Sequence, residues 1–263
     1  MKIGGMNHPG RDPIAEITWF GENGFDFVDF TLEPPCADPD QINPGAIKDA
    51  LSKYNLDVVA HCAWFIPLSS PFANLRQTSL SEFRRSLNAA HAIGAKVMNT
   101  HYIGVPQLFP PEKAIEWNVE TLEPLCEEAA ELGITIVIEN NIKPWVSTNQ
   151  LENLVTIMER LPLLRFHLDV GHTKLERDYD RFDEYLQKLG HKLLHVHLSD
   201  NDGTADQHLP LGAVVSSNTD WPKHTQKLKS SGYDGTISLE IFAGYREYLL
   251  ISRDLFKQWW DEA

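Results

Sequence analysis

The chain has 263 residues, 42% hydrophobic and 23% charged, which is enough apolar surface for one sizeable core. With 37 Asp and Glu against 23 Lys and Arg, its formal net charge of −14 argues against general binding of polyanions, whose affinity comes largely from cationic side chains on phosphates. It leaves room for a local site where bound cations reverse the sign. Cys36, Cys62 and Cys126 are odd in number and form no Cys-x-x-Cys pair, which reads as a reduced, cytoplasmic protein. The opening Met1-Lys2-Ile3-Gly4-Gly5-Met6-Asn7 is not patterned as a signal peptide. No apolar run approaches the roughly 20 residues that span a bilayer, so no membrane partner is expected.

In chain order, short β-rich apolar runs predict strands over residues 2–6, 25–31, 57–60, 96–100, 135–138, 164–168, 193–198 and 236–239. Most are rich in Val, Ile, Leu and Phe rather than alternating, as parallel strands covered on both faces are. Helical spacing appears over 79–93, closed by Gly94, and over 149–161, stopped by Pro162. The clearest helix is 111–132, where Ile115, Val119, Leu122, Cys126, Ala129 and Leu132 share a face between Pro110-Pro111 and Gly133. A last helix runs from Tyr245 to the C-terminus, its Trp259 and Trp260 expected to pack on the outer wall. Eight βα units in about 250 residues fit a single-domain α/β fold, a (β/α)8 TIM barrel over residues 1–263. A doubly wound sheet would want a Gly-rich phosphate fingerprint after the first strand, and Gly4-Gly5-Met6-Asn7-His8-Pro9-Gly10 lacks that spacing.

At or just past the predicted strand ends stand His8, Glu33, His61, His101, Glu139, Asp169, His197 and Glu240. One such residue is usually a cap or a satisfied polar group; eight directed to one rim are a site, since barrel chemistry sits at that end. The stretch from His195 to Gly212 adds Asp206 and His208, and Asp169-Val170-Gly171-His172 adds an imidazole. Converging imidazoles and carboxylates are metal-ligand chemistry. Glu139 and Glu240 end apolar runs, where a bare carboxylate faces a desolvation cost of several kcal/mol unless a cation or hydrogen bonds compensate. The competing reading is ion pairing, with Lys143 and Arg246 nearest in sequence. His195 and His167 share the parity of His197 and Asp169 and should point inward one layer deeper, in a supporting role. His91, His191 and His224 lie on helices or their ends and are expected to be solvated.

This pattern resembles the xylose-isomerase-like TIM-barrel superfamily, which holds sugar and sugar-phosphate isomerases and epimerases together with endonuclease IV (AP endonuclease family 2). The resemblance covers nearly the whole chain and is most specific in Asp169-Val-Gly-His172 and His197…Asp206-Gln-His208. The epimerase branch implies one divalent metal, often manganese, on Glu139, Asp169, His197 and Glu240, with His172 on a substrate oxygen. The endonuclease branch implies three zinc ions on His61, His101, Glu139, Asp169, His172, His197, Asp206, His208 and Glu240. The first set is contained in the second, so His61, His101, Asp206 and His208 discriminate.

Departures bear on the choice. Loop cations (Arg11, Arg76, Lys143, Lys174, Arg177, Arg246) are scattered and the loop 33–41 is acidic, so a nucleic-acid partner is not expected. The Arg that epimerases commonly carry in the seventh loop is missing; Asp202-Gly203 stands there. The favoured expectation is a metal-dependent isomerase or epimerase of a small sugar, sugar phosphate or polyol ketone, working through a metal-stabilised enediolate. Glu139 and Glu240 would exchange protons with carbon and His172 would hold an oxygen. His8, Glu33, Trp64, Lys143 and Arg246 would contact the substrate, and Arg11, Lys143 or Arg246 would neutralise a phosphate. The alternative is a multinuclear zinc phosphodiesterase acting on abasic DNA or a small phosphoester. A homo-oligomer is compatible with the sequence but not indicated by it.

Overall fold

Strands covered on both faces need helices on one side and a packed interior on the other, and the computed structural model shows that arrangement. It describes residues 1–106, 108–141, 150–175, 179–214 and 219–263. The strands are β1 (Lys2–Met6), β2 (Phe27–Leu32), β3 (Asp57–Cys62), β4 (Val97–His101), β5 (Thr135–Glu139), β6 (Arg165–Asp169), β7 (Leu193–Leu198) and β8 (Thr236–Leu239). They pair in parallel in sequence order, and β8 returns to β1, closing the barrel. Around them lie α1 (Pro13–Glu22), α2 (Pro44–Lys53), α3 (Ala73–Ile93), α4 (Glu112–Glu131), α5 (Gln150–Arg160), α6 (Phe182–Leu189), α7 (Trp221–Ser230) and α8 (Glu247–Glu262). The fold is the expected single-domain TIM barrel.

The strand boundaries carry the functional lesson. β1, β7 and β8 match the expected ranges, whereas β3 to β6 run past their expected ends to include His61, His101, Glu139 and Asp169. Backbone pairing is indifferent to side-chain polarity, so the ladder continues through these residues: His61 pairs with Asn99, His101 with Glu139, and Asp169 with His197. His61, His101, Glu139, Asp169 and His197 are therefore mounted on strands, while His8, Glu33 and Glu240 follow the ends of theirs.

Four helices, α1, α2, α6 and α7, are not among those expected from spacing, although each buries an apolar face. Three of them start on a capping side chain followed by proline: Asp12 accepts from the Ala15 N–H (2.8 Å), Asn43 from Ala46 (3.1 Å) and Asp220 from Lys223 (3.3 Å). Helix α3 begins at Ala73, ahead of the expected Ser79, and the expected start of α5 at Asn149 lies outside the described residues.

Ile17, Phe20, Phe83, Leu87, Leu122, Leu154, Phe182 and Phe256 fill the shell between helices and sheet. At the base of β1 the ring of Phe27 lies where a Cβ on Gly4 would be (2.6 Å), so glycine is required there. Trp259 stacks on Trp221 with centroids 6.4 Å apart, and Trp260 tilts against Phe256, as outer-layer packing requires. His91 and His191 are exposed as expected, but His224 is not solvated: it is buried, with Nε2 2.8 Å from Asp180 Oδ2. Its position on the inner side of α7, facing the loop before α6, overrides its helical address. The three cysteines are free, and among the described residues no helix is long and apolar enough to cross a membrane.

Candidate metal centre at the barrel mouth

Glu139, Asp169 and His197 end or nearly end neighbouring strands, and Glu240 follows β8 directly. Period-two alternation turns all four inward, and one ligand atom from each lies within 4.8 Å of the others. They are buried almost completely. His197 Nδ1 is 2.9 Å from Glu240 Oε2 and 3.9 Å from Asp169 Oδ2. Asp169 is held by backbone N–H groups, its own donating to Asn140 Oδ1 (2.8 Å) and that of His172 to its Oδ1 (2.7 Å), with the His172 Nδ1 3.7 Å from the same oxygen. Its Oδ2 has no hydrogen-bond partner, and burial pushes its carboxyl up to about 7.

Two further groupings share this floor. His61 and His101 approach Glu139 Oε2 with their Nε2 atoms at 3.7 and 3.2 Å, and Asn99 Nδ2 donates to the same oxygen at 2.6 Å. Neither ring nitrogen of His61 has a hydrogen-bond partner, nor has His101 Nδ1. On the loop side, Asp206 Oδ2 lies 3.2 Å from His172 Nε2 and 3.0 Å from His208 Nε2. The seventh loop carrying Asp206 and His208 is closed at its neck by mutual Asp200 and Leu209 backbone bonds of 2.8 and 2.9 Å, and His208 takes φ of 47°. The nine residues expected as ligands thus converge.

Their charges balance through protons. Burial opposes charge on Glu139, yet His101 and His167 hold it well below the usual carboxylate range. Burial likewise opposes charge on His197, but Glu240 and Asp29 raise it well above the ordinary histidine value; Asp169 and Asp206 do the same for His172. His208 is raised to about 9, against its burial, chiefly by Glu240 and Asp206. The protons sit on nitrogens that are also ligand atoms, so a divalent cation would displace them. Unpartnered buried donor atoms in a mixed imidazole–carboxylate set suit zinc or manganese.

Above the floor opens a cavity of about 460 Å³, within the range of small-molecule sites. His8, Glu33, Trp64, His101, Glu139, His172, Asp206, His208, Glu240 and Phe242 are among its lining residues. Of the expected substrate contacts, His8, Glu33 and Trp64 reach it, Glu33 accepting from Thr31 Oγ1 at 3.1 Å. Lys143 lies outside the described residues, as does Arg177. Arg246 does not line this cavity and does not pair with Glu240; it pairs with Glu16 across the β8–β1 seam. Two other cations expected on loops are already taken, Lys174 by Asp200 (3.0 Å) and Arg76 by Glu120 (3.0 Å), and Arg76 lies in the first turn of α3 rather than on a loop because that helix starts earlier than expected.

A model of the xylose isomerase-like TIM barrel family matches residues 17–259. The chain belongs to that family. Within reach of it are an uncharacterized protein of Methanocaldococcus jannaschii, 28% identical over 237 residues (83% of this chain, 75% of its own), and fructoselysine 3-epimerase of Escherichia coli O157:H7, 24% identical over 182 residues (65% and 62%). A solved D-tagatose 3-epimerase-like protein superposes with a TM-score of 0.85 at 24% identity, over 99% of this chain and 97% of its own. That structural likeness speaks for the shared fold.

In this xylose isomerase-like barrel one carboxylate escaped the sequence reading. Asp29, in the middle of β2, is fully buried and reaches His197 Nε2 at 2.7 Å and His195 Nε2 at 3.0 Å through the same Oδ2. It fixes which His197 nitrogen faces the floor: Nε2 is taken, and Nδ1 is presented to Glu240 and Asp169. His195 is anchored at its other nitrogen by Thr236 Oγ1 (2.7 Å), and His167 lies 3.3 Å from Glu139 Oε2 through Nδ1. Both take the deeper supporting positions expected of them. The signal for Asp29 was available: a lone carboxylate among Phe27, Val28 and Phe30, with the parity of Thr31 and Glu33.

Proposed function

We propose that the chain is a metal-dependent isomerase or epimerase of a small sugar or related polyol ketone. The observation that carries this reading is the pairing of Glu139 and Glu240. Both sit in the four-residue ligand group, both face the same cavity, and they come from strands on different sides of the barrel. A divalent ion held by Glu139, Asp169, His197 and Glu240 would supply Lewis acidity to adjacent substrate oxygens. Two carboxylates flanking one carbon can remove a proton from one face and return it to the other. Asn99 and the surrounding imidazoles keep Glu139 ionised, as a base must be; Glu240, held below its ordinary value against its burial by His208 and His197, would have to take up a proton before returning one to carbon. His172 lines the cavity, its Nδ1 on the Asn140 carbonyl (2.8 Å), and would hold a substrate hydroxyl through Nε2 in exchange for its contact with Asp206. Trp64 and Phe242 give the cavity an apolar wall. Three free cysteines, two of them buried, suit the cytoplasm, where we place the protein.

The test is exchange of a carbon-bound hydrogen with solvent deuterium, read by NMR on a panel of ketoses with metal-loaded protein. Exchange next to the carbonyl, lost in Glu139→Gln and in Glu240→Gln, is the expected result. A second reading, a multinuclear zinc phosphodiesterase, is favoured by His61 with His101 and by the His172–Asp206–His208 set. Three zinc ions per chain in elemental analysis, with cleavage of a phosphodiester and no ketose exchange, would replace the first reading with the second.

A further inference from the structure

Beside the main cavity, across the seam where β8 meets β1, lies a smaller one of about 120 Å³. Met6, His8 and Phe242 line both, and the His8 and Phe242 rings, 6.1 Å apart and edge-on, form the waist between them. The annex is built from Arg11 after β1, Glu16 and Trp19 on α1, and Arg246 ahead of α8. Among the described residues lining the two cavities, Arg11 and Arg246 are the only lysines or arginines.

Both guanidinium groups lean on a single carboxylate. Arg246 is ion-paired with Glu16 Oε1, and Arg11 Nη1 stands 3.9 Å from the same atom. The other oxygen, Oε2, accepts the His8 N–H at 3.0 Å. Glu16 is 4% exposed, whereas Arg246 and Arg11 keep 26% and 45%. The carboxylate is therefore buried and the guanidinium groups are the accessible part. Each guanidinium has five N–H donors, so a pair sharing one acceptor oxygen has most of its hydrogen-bonding capacity left for a ligand. Arg246 is also held in place from one side, its guanidinium 5.0 Å from the centroid of the Trp19 ring.

Neutralising Glu16 would take one arginine. The second leaves a net positive charge beside a waist that opens onto carboxylates, and the two cations repel: burial first, then Arg11, lowers the Arg246 pKa. Burial and then both arginines also lower that of His8, so their field reaches the waist. An arrangement that costs stability when empty and offers a planar fork of donors is built for an anion. The main cavity, lined by Glu33, Glu139, Asp206 and Glu240 together with His61, His101, His172 and His208, offers an anion no arginine or lysine among its described lining residues.

We propose that the annex binds the anionic group, a phosphate or a carboxylate, of a sugar whose carbonyl end lies over Glu139 and Glu240. This rests on the isomerase reading and narrows it from sugars in general to anionic ones. The substrate chain would run past the packed His8 and Phe242 rings rather than between them, with its charge at the end remote from the reacting carbon.

The test is calorimetric titration of the metal-loaded full chain with inorganic phosphate and, separately, with acetate. Saturable binding is expected, weakened roughly ten- to hundredfold in Arg246→Gln and in Arg11→Gln, the loss of charge-assisted hydrogen bonds. Glu16→Gln, which frees both guanidinium groups, should tighten binding; a purely structural cluster cannot do that. If Arg246→Gln fails to fold, Arg11→Gln carries the test from the more exposed side chain. Binding of phosphate alone assigns a phosphoryl group, and binding of acetate alone a carboxylate. The preference for a ketose phosphate or sugar acid over the neutral ketose, in kcat/KM, should fall by a similar factor in the arginine variants. Phosphate and acetate affinities unchanged in both arginine variants would overturn the annex as an anion site. Arginine-dependent anion binding in a protein that exchanges no ketose hydrogen keeps the annex and sinks the isomerase reading. Neutral ketoses turned over without arginine-dependent anion binding do the reverse.

Discussion

The floor of the barrel mouth and its loop side use the same residue types but hold them in opposite ways. Glu139, Asp169 and His197 lie within strands whose ladders continue through them, and none is more than 1% exposed. His172, Asp206 and His208 sit on loops, and Asp206 and His208 keep 18% exposure. Strand-borne groups are placed by barrel closure itself, so their geometry comes at no extra ordering cost; loop-borne groups must be ordered separately. The floor is therefore where the shared chemistry is expected, and the loop side is where ion number and substrate choice are tuned.

Four substitutions probe that division, in descending order of effect. Glu139→Gln should lower kcat/KM by about 10²–10⁴-fold, the usual share of a positioned acid or base; a loss under tenfold with full metal content would remove Glu139 from the chemistry. Asp29→Asn leaves every floor ligand in place but frees His197 to turn, and should cost about 10–100-fold in metal affinity, measured by competition with a chelator. Rescue by excess metal would separate this from simple unfolding. Asp206→Asn, on the loop, should cost about tenfold in kcat/KM while the floor keeps its ion. Loss of every bound ion in that variant would erase the distinction between floor and loop.

The smallest effect concerns what ties the His172 loop down. Thr173 Oγ1 donates to Asp180 Oδ1 at 2.7 Å, and His224 Nε2 lies 2.8 Å from Asp180 Oδ2. Burial opposes the Asp180 charge, but the His224 and Thr173 hydrogen bonds hold its pKa below the ordinary value. A carboxylate depressed in the folded state contributes stability that is present above its unfolded pKa of about 3.9 and is lost as pH falls through the folded value. Asp180→Asn should therefore cost about 1–3 kcal/mol at pH 7 in urea unfolding, and the gap to the parent should close in strong acid. A gap that persists there would mean that the side chain acts through packing.

Much of the barrel was legible because strand cores announce themselves locally: the runs at 193–198 and 236–239 needed no partner to be recognised. Glu139 and Glu240 were legible for the same reason, as carboxylates that break an apolar run. Asp29 breaks one too, but it lies in mid-strand and its meaning depends on His195 and His197, more than 160 residues away. Arg246 illustrates what nearness in sequence does not give: it follows Glu240 closely along the chain, yet the barrel seam brings it to Glu16, from the opposite end of the chain. Helices α1, α2 and α7 also carried a legible signal, a capping side chain followed by proline at the start of each.

The pair of hydrogen bonds between Asp200 and Leu209 has a consequence beyond this molecule. A loop that finishes beside its own starting point behaves as a cassette: it can be lengthened, shortened or traded while β7 and the helix after it keep their places. Asp206 and His208 travel on that cassette, and His197 does not. Lineages of such barrels can thus change what they act on by exchanging an insert, leaving the inherited strands untouched.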